Sequence, residues 1–114
     1  MVRGANLEAI RERGMVLEME DGTRLVADQV KASNDYDAVG PQDLVILATK
    51  AQQVEAVAAS VPKLFGPETV VVTMQNGIPF WYFHQHGGEL AGSRVTSVDP
   101  TGEISRLIPA ERVL

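Results

Sequence analysis

The chain has 114 residues, with 10 Lys and Arg against 15 Asp and Glu, a net charge of -5, a hydrophobic share of 45% and no cysteine. That charge argues against nonspecific nucleic-acid binding, which needs a basic surface, and the lack of cysteine excludes disulfides, thiolate metal sites and cysteine nucleophiles. The length suits a single domain with a modest core, here residues 1–114. No apolar run approaches the ~20 residues that span a bilayer, and the start, MVRGANLEAI, lacks the apolar core of a signal peptide. A cytoplasmic setting without a membrane partner is therefore expected.

In chain order, Asn6 to Arg13 predicts a short helix. Asn6 can cap it, Leu7 and Ile10 form its apolar edge, and Gly14 fits the stop position. A β-hairpin follows. Met15 to Glu20 alternates Met15, Leu17 and Met19 against Val16, Glu18 and Glu20; Asp21-Gly22 reads as a two-residue turn, and Arg24 to Ala32 returns. Asp35 to Val39 predicts one helical turn, ended by Gly40-Pro41.

Two nearly continuous apolar runs come next, Asp43 to Thr49 and Thr69 to Met74. Each stops abruptly at polar residues, as strands buried on both faces of a parallel sheet do. Between them, Val54, Val57, Ala58, Val61, Leu64 and Phe65 fall on one helical face and predict a helix from about Gln52 to Phe65. Pro62 lies inside that pattern and predicts a kink in the last turn or an end near Val61. Gly66-Pro67 reads as the connection to the second strand. Strand, helix and strand make a βαβ unit, whose crossover is expected to be right-handed. Farther on, Phe80, Trp81, Tyr82 and Phe83 are too apolar to be wholly exposed and should pack on a core or a partner. Turn signals stand at Asp99-Pro100 and Thr101-Gly102, and the final IPAERVL reads as the approach to another strand.

Lys50, Gln53, Gln75, Asn76 and Gly77 lie just past the two strand ends, the edge where open α/β sheets bind ligands. Lys50 reads either as an ammonium for a cofactor phosphate or substrate carbonyl, or as a solvated strand-end lysine. Gln53 falls beside it if a helix has begun. Gln75-Asn76-Gly77 reads equally as amides presented to a ligand beside a permissive glycine, or as a plain Asn-Gly turn. Arg3 precedes the first helix, where an arginine can bind phosphate or simply be a mobile terminal cation. His84 and His86 have no nearby acid to complete a metal site and read as solvated; no metal is expected.

The segments RGANLEAIRERG, DLVILATKAQQVEAV and GPETVVVTMQNG, in this order and spacing, resemble the cofactor domain of the ketopantoate reductase (2-dehydropantoate 2-reductase) family. The resemblance runs from about Val2 to Gly77. It implies a partial Rossmann-like α/β domain with a hairpin insertion, and an NADPH-dependent reduction of 2-dehydropantoate to pantoate on the way to pantothenate. It also implies roles: Arg3 at the adenosine 2′-phosphate, Lys50 near cofactor and active site, Gln53 on the cofactor, and Asn76 near the nicotinamide ribose and substrate. Lys50 and Asn76 are thereby the catalytic candidates, and Arg3, Lys50, Gln53 and Asn76 the NADP-binding ones.

Members of that family begin with a strand and a GxGxxG loop that holds the pyrophosphate, and they carry a helical second domain with the general-acid lysine and a substrate-contacting glutamate. Neither is found in these residues. The expectation is therefore an internal piece of the nucleotide domain, inactive by itself, whose exposed sheet edges favour self-association. The alternative is a non-enzymatic remnant that self-assembles or binds nucleotide weakly.

Overall fold

The structure, a computed structural model, describes residues 1–114. The chain forms two compact units, Met1–Val39 and Gly40–Leu114.

In the first unit, α1 spans Ala5–Arg13. Its cap is Gly4 rather than Asn6. Gly4 sits at φ 63, a conformation glycine adopts without strain, and its carbonyl accepts the Leu7 N–H at 2.9 Å. Asn6 is carried into the first turn, exposed and without a capping bond. Leu7 is buried, and Gly14 ends the helix as expected, its N–H on the Ile10 carbonyl at 2.9 Å.

The hairpin pairs β1 (Met15–Glu18) with β2 (Arg24–Ala27), Leu17 opposite Leu25. The return strand stops at Ala27, not Ala32, because the chain turns at Asp28 and Gln29. The turn also differs from the two-residue form. The Gly22 N–H bonds the Met19 carbonyl at 3.0 Å, which puts Glu20 and Asp21 at the centre and leaves Gly22 at φ 82 to rejoin the ladder. This is a three-residue connection closed by a left-handed glycine. Every strand residue of the hairpin is exposed. The predicted helical turn is α2 (Tyr36–Val39), whose first turn is capped by Asp35 Oδ1, accepting the N–H groups of Asp37 at 3.0 Å and Ala38 at 3.1 Å.

The second unit is built on two parallel strands, β3 (Gln42–Leu47) and β4 (Phe65–Thr73), in register from Leu44–Val70 to Leu47–Thr73. β3 stops two residues short of Thr49. Its burial is one-sided: Val45 and Leu47 are buried, whereas Leu44 and Ile46 are 51% and 52% exposed. The expected two-faced burial is not found: only the Val45 and Leu47 face of β3 is packed into the core.

β4 starts earlier than predicted and takes in Gly66-Pro67. The register slips between Gln42 and Leu44 to accommodate them. The Thr69 hydroxyl secures the slip, accepting the Gly66 N–H and donating to the Gln42 carbonyl, both at 2.6 Å. Arg112 holds the same bend from outside. Its Nη1 donates to the Gly66 and Thr69 carbonyls at 3.1 Å, and its guanidinium lies 5.1 Å from the Phe65 ring centroid.

The predicted helix between the strands is broken into a 3-10 turn at Ala51–Gln53, a short α3 (Glu55–Ala58) and a second 3-10 turn at Val61–Leu64. Pro62 ends helical bonding by lacking an N–H and by disfavouring the α conformation before it. The apolar face nonetheless reports burial correctly: Val54, Ala58, Val61 and Leu64 are all core residues.

After β4 the chain packs back onto this layer. Phe80 is buried, Trp81 and Phe83 are half-buried, and Tyr82 is exposed, its ring in edge contact with Phe83. α4 (Glu103–Leu107) packs against α3 and, with Ile108 just past its end, buries Ile104 and Ile108 completely. The chain's last residues do approach a strand: Val113 bridges Val71 in parallel, and the Leu114 N–H bonds the Val71 carbonyl at 3.0 Å.

Candidate functional site

Parallel strands place their carboxyl ends on one edge, so the polar residues ending β3 and β4 converge there whatever their separation in sequence. The last ladder bond runs from the Met74 N–H to the Leu47 carbonyl at 3.0 Å. One residue past Met74 and two past Leu47, the Gln75 Nε2 donates to Thr49 Oγ1 at 3.3 Å. Lys50 and Asn76 each stand one residue beyond this tie.

Lys50 is exposed and extended (φ -61, ψ 146) and caps the 3-10 turn, its carbonyl accepting the Gln53 N–H at 2.8 Å. Gln53 is exposed at the end of that turn. The two residues are thus joined through the backbone of a tight turn rather than by neighbouring positions on an α-helix. Asn76 is exposed and is followed by Gly77 at φ 104. The edge therefore offers one ammonium and two carboxamides, all facing solvent. An ammonium supplies three donors for phosphate or carbonyl oxygens, and each carboxamide both donates and accepts, as sugar hydroxyls require.

Arg3 belongs to the first unit, exposed and immediately before Gly4. An open cavity of about 430 Å³ in that unit lies between α1 and the hairpin, with Asn6, Arg13, Glu18 and Arg24 in its lining; Arg3 is not part of it. His86 contacts the Tyr82 and Phe83 rings, and no cluster of His, Asp and Glu able to hold a metal ion is formed.

Three residues at the edge escape a reading of local pattern: Thr49, Thr73 and Trp81. The Trp81 indole donates to Thr73 Oγ1 at 3.3 Å, across eight residues of chain. A threonine that closes an apolar run is the only signal that either strand end carries. The second unit also holds a fully buried carboxylate, Asp99. Burial acts to raise its pKa, but the Ser105 hydroxyl and the N–H groups of Ser105, Ile104 and Gly102 outweigh that and hold it below the ordinary aspartate value.

The chain is 45% identical, over all of its 114 residues, to a 2-dehydropantoate 2-reductase of Mesorhizobium japonicum, of which it covers 34%. Its fold matches the crystal structure of a candidate ketopantoate reductase from Ralstonia solanacearum MolK2 with a TM-score of 0.89 and 44% identity, over 97% of this chain and 34% of that one. It spans about a third of the length of both relatives. The family model for ketopantoate reductase PanE/ApbA matches residues 1–79, which take in the first unit and the part of the second that carries the β3–β4 edge. With its α/β fold, its parallel strand pair and its hairpin, the chain belongs to the ketopantoate reductase PanE/ApbA family.

Proposed function

We propose that residues 1–114 form part of a Rossmann-like NADP-binding domain and carry one side of the site at which a ketopantoate reductase converts 2-dehydropantoate to pantoate. The observation that carries this reading is the exposure of Lys50, Gln53 and Asn76 together at the carboxyl edge of β3 and β4, where this architecture binds nucleotides.

The donor set fits the cofactor. Gln53 and Asn76 match the needs of ribose hydroxyls, Lys50 those of a phosphate or of the keto oxygen, and Arg3 those of a 2′-phosphate, the group that distinguishes NADPH from NADH. The bound nicotinamide supplies the hydride. Lys50 lowers the cost of negative charge on the keto oxygen as the carbonyl is reduced. Asn76 orients ribose and substrate through its amide. The proton that completes the alcohol comes from a general acid outside these residues, so the chain alone turns over no substrate. In the complete enzyme the partner is a small 2-keto acid, and the setting is cytoplasmic.

Calorimetric titration with NADPH, with NADH and an Arg3→Ala variant as controls, tests the reading. Saturable binding that prefers NADPH and weakens in the variant is expected. Absence of saturable binding, or equal affinity for NADH, overturns it.

A second reading rests on a different observation. Leu44 and Ile46 stand half-exposed on a strand paired on one side only, and an open apolar strand is a template for another chain. On this reading the chain is a non-enzymatic remnant that self-associates through β3, and sedimentation showing concentration-dependent mass without NADPH binding is the outcome that favours it.

A further inference from the structure

Beyond the Met74–Leu47 bond, no backbone hydrogen bond joins the segment after β3 to the segment after β4. One side-chain bond crosses between them and a second ties the later segment back to β4, and both end on threonine hydroxyls. Gln75 Nε2 reaches across to Thr49 Oγ1, and Trp81 Nε1 reaches back to Thr73 Oγ1, each at 3.3 Å. The stretch between these anchors, Asn76 to Phe80, holds Gly77 at φ 104, exposed Ile78 and buried Phe80.

We propose that Thr49 and Thr73 are positioning residues that clamp the loop carrying Asn76 at both ends, and so set the spacing of Asn76 from Lys50 at the cofactor edge. The inference rests on the NADPH reading given above and adds residues that the reading does not use.

A glycine at positive φ beside Asn76 gives the loop conformational freedom that would otherwise have to be lost on ligand binding. A threonine hydroxyl at a strand end offers an acceptor whose position the strand fixes. Trp81 has a single donor and no acceptor, and both Trp81 and Gln75 are half-buried, so removal of either threonine exchanges a tie to the strand end for a bond to solvent that fixes nothing. The clamp also joins the loop to both strands: Thr73 is the last paired residue of β4, and Thr49 lies two residues past the end of β3. Movement of either strand end is therefore passed to Asn76.

The test compares Thr49→Val, Thr73→Val, Thr49→Ser and Thr73→Ser with the unaltered chain by NADPH titration and thermal unfolding. Valine keeps the shape and removes the acceptor; serine keeps the acceptor. Each valine variant is expected to weaken NADPH binding roughly three- to tenfold, as loss of one such bond implies, with little change in Tm. The serine variants are expected to bind within about twofold of the unaltered chain. Unchanged affinity in both valine variants, or failure of serine to restore it, overturns the clamp; so does an affinity loss that simply follows a fall in Tm, because that marks a structural role.

If the unaltered chain does not bind NADPH, the cofactor reading fails and the clamp is decided without ligand. Amide hydrogen exchange at Met74 and Tyr82, whose N–H groups bond the Leu47 and Pro79 carbonyls at either end of the loop, should then speed up roughly tenfold in the valine variants, with the interior of β4 unaffected. Exchange unchanged at these two amides overturns the clamp.

Discussion

Asp99 and Ser105 are joined twice: Ser105 gives Asp99 Oδ2 both its backbone N–H, at 3.0 Å, and its hydroxyl, at 2.7 Å. The Ile104 N–H completes the set at 3.1 Å on Oδ1. A fully buried carboxylate thus satisfies the first turn of α4 and fastens the segment before it to the helix that buries Ile104 and Ile108. Removing the acceptor strands several buried donors at once. Asp99→Ala is expected to cost about 2–3 kcal/mol and to lower Tm by roughly 10 °C or more. Urea unfolding of the variant against the parent measures it.

The same carboxylate gives stability a pH dependence of known sign. Its folded pKa lies below the ordinary value of 3.8, so the unfolded chain binds the proton more readily. The contribution is complete above about pH 3.8 and is lost as the pH falls from there through the lower folded value. Stability of the parent should decline in that window. Asp99→Asn should start lower and decline less steeply there, and equal slopes for the two proteins would count against the assignment.

Arg112 stabilises the bend where β4 begins, by hydrogen bonds to the Gly66 and Thr69 carbonyls and by lying over Phe65. Arg112→Ala is expected to destabilise by about 1–2 kcal/mol. Lysine, with a point charge in place of a planar fork, should recover only part of it. Thermal unfolding of the three proteins gives the ranking.

Gly14 is the tightest glycine in the first unit. It has φ 75, and a Cβ there would stand 2.7 Å from the Ala27 carbonyl oxygen. Gly14→Ala should therefore cost about 2 kcal/mol or more by combining backbone strain with displacement of β2. Loss of the hairpin's amide protection, with the β3–β4 amides unchanged, is the expected pattern in hydrogen exchange, since Ala27 pairs with Met15 in that hairpin.

Ile46 is 52% exposed on β3. If chains associate through this strand, Ile46→Lys should shift the sedimentation distribution towards monomer at concentrations where the parent is larger, because a lysine there opposes edge pairing. The substitution should leave thermal stability nearly unchanged, as it removes no buried contact.

Much of the site was legible before folding was considered. Two apolar runs that stop at polar residues announce two strand ends, and parallel strands put those ends on one edge, so Lys50, Gln53 and Asn76 follow the strands at that edge. The turn glycines at Gly14 and Gly40 mark element ends by local backbone chemistry alone. The helical periodicity from Val54 to Phe65 was a sound guide to burial and a poor one to helix: Pro62, whose tertiary amide has no N–H, ends regular bonding after α3, and a 3-10 turn already precedes α3.

Local pattern settled what short-range chemistry controls in this chain: which segments are strands, where glycine ends α1, and which face of the 54–65 segment lies inward. The tertiary structure alone decided the rest. Asp99 is buried with the first turn of α4 bonded to it; Thr49 and Thr73 gain partners because Gln75 and Trp81 reach them; Leu44 and Ile46 stay half-exposed on the face of β3 opposite Val45 and Leu47. Each of these depends on a partner distant in the chain or on another element, and such partners leave no periodicity for the residues themselves to display.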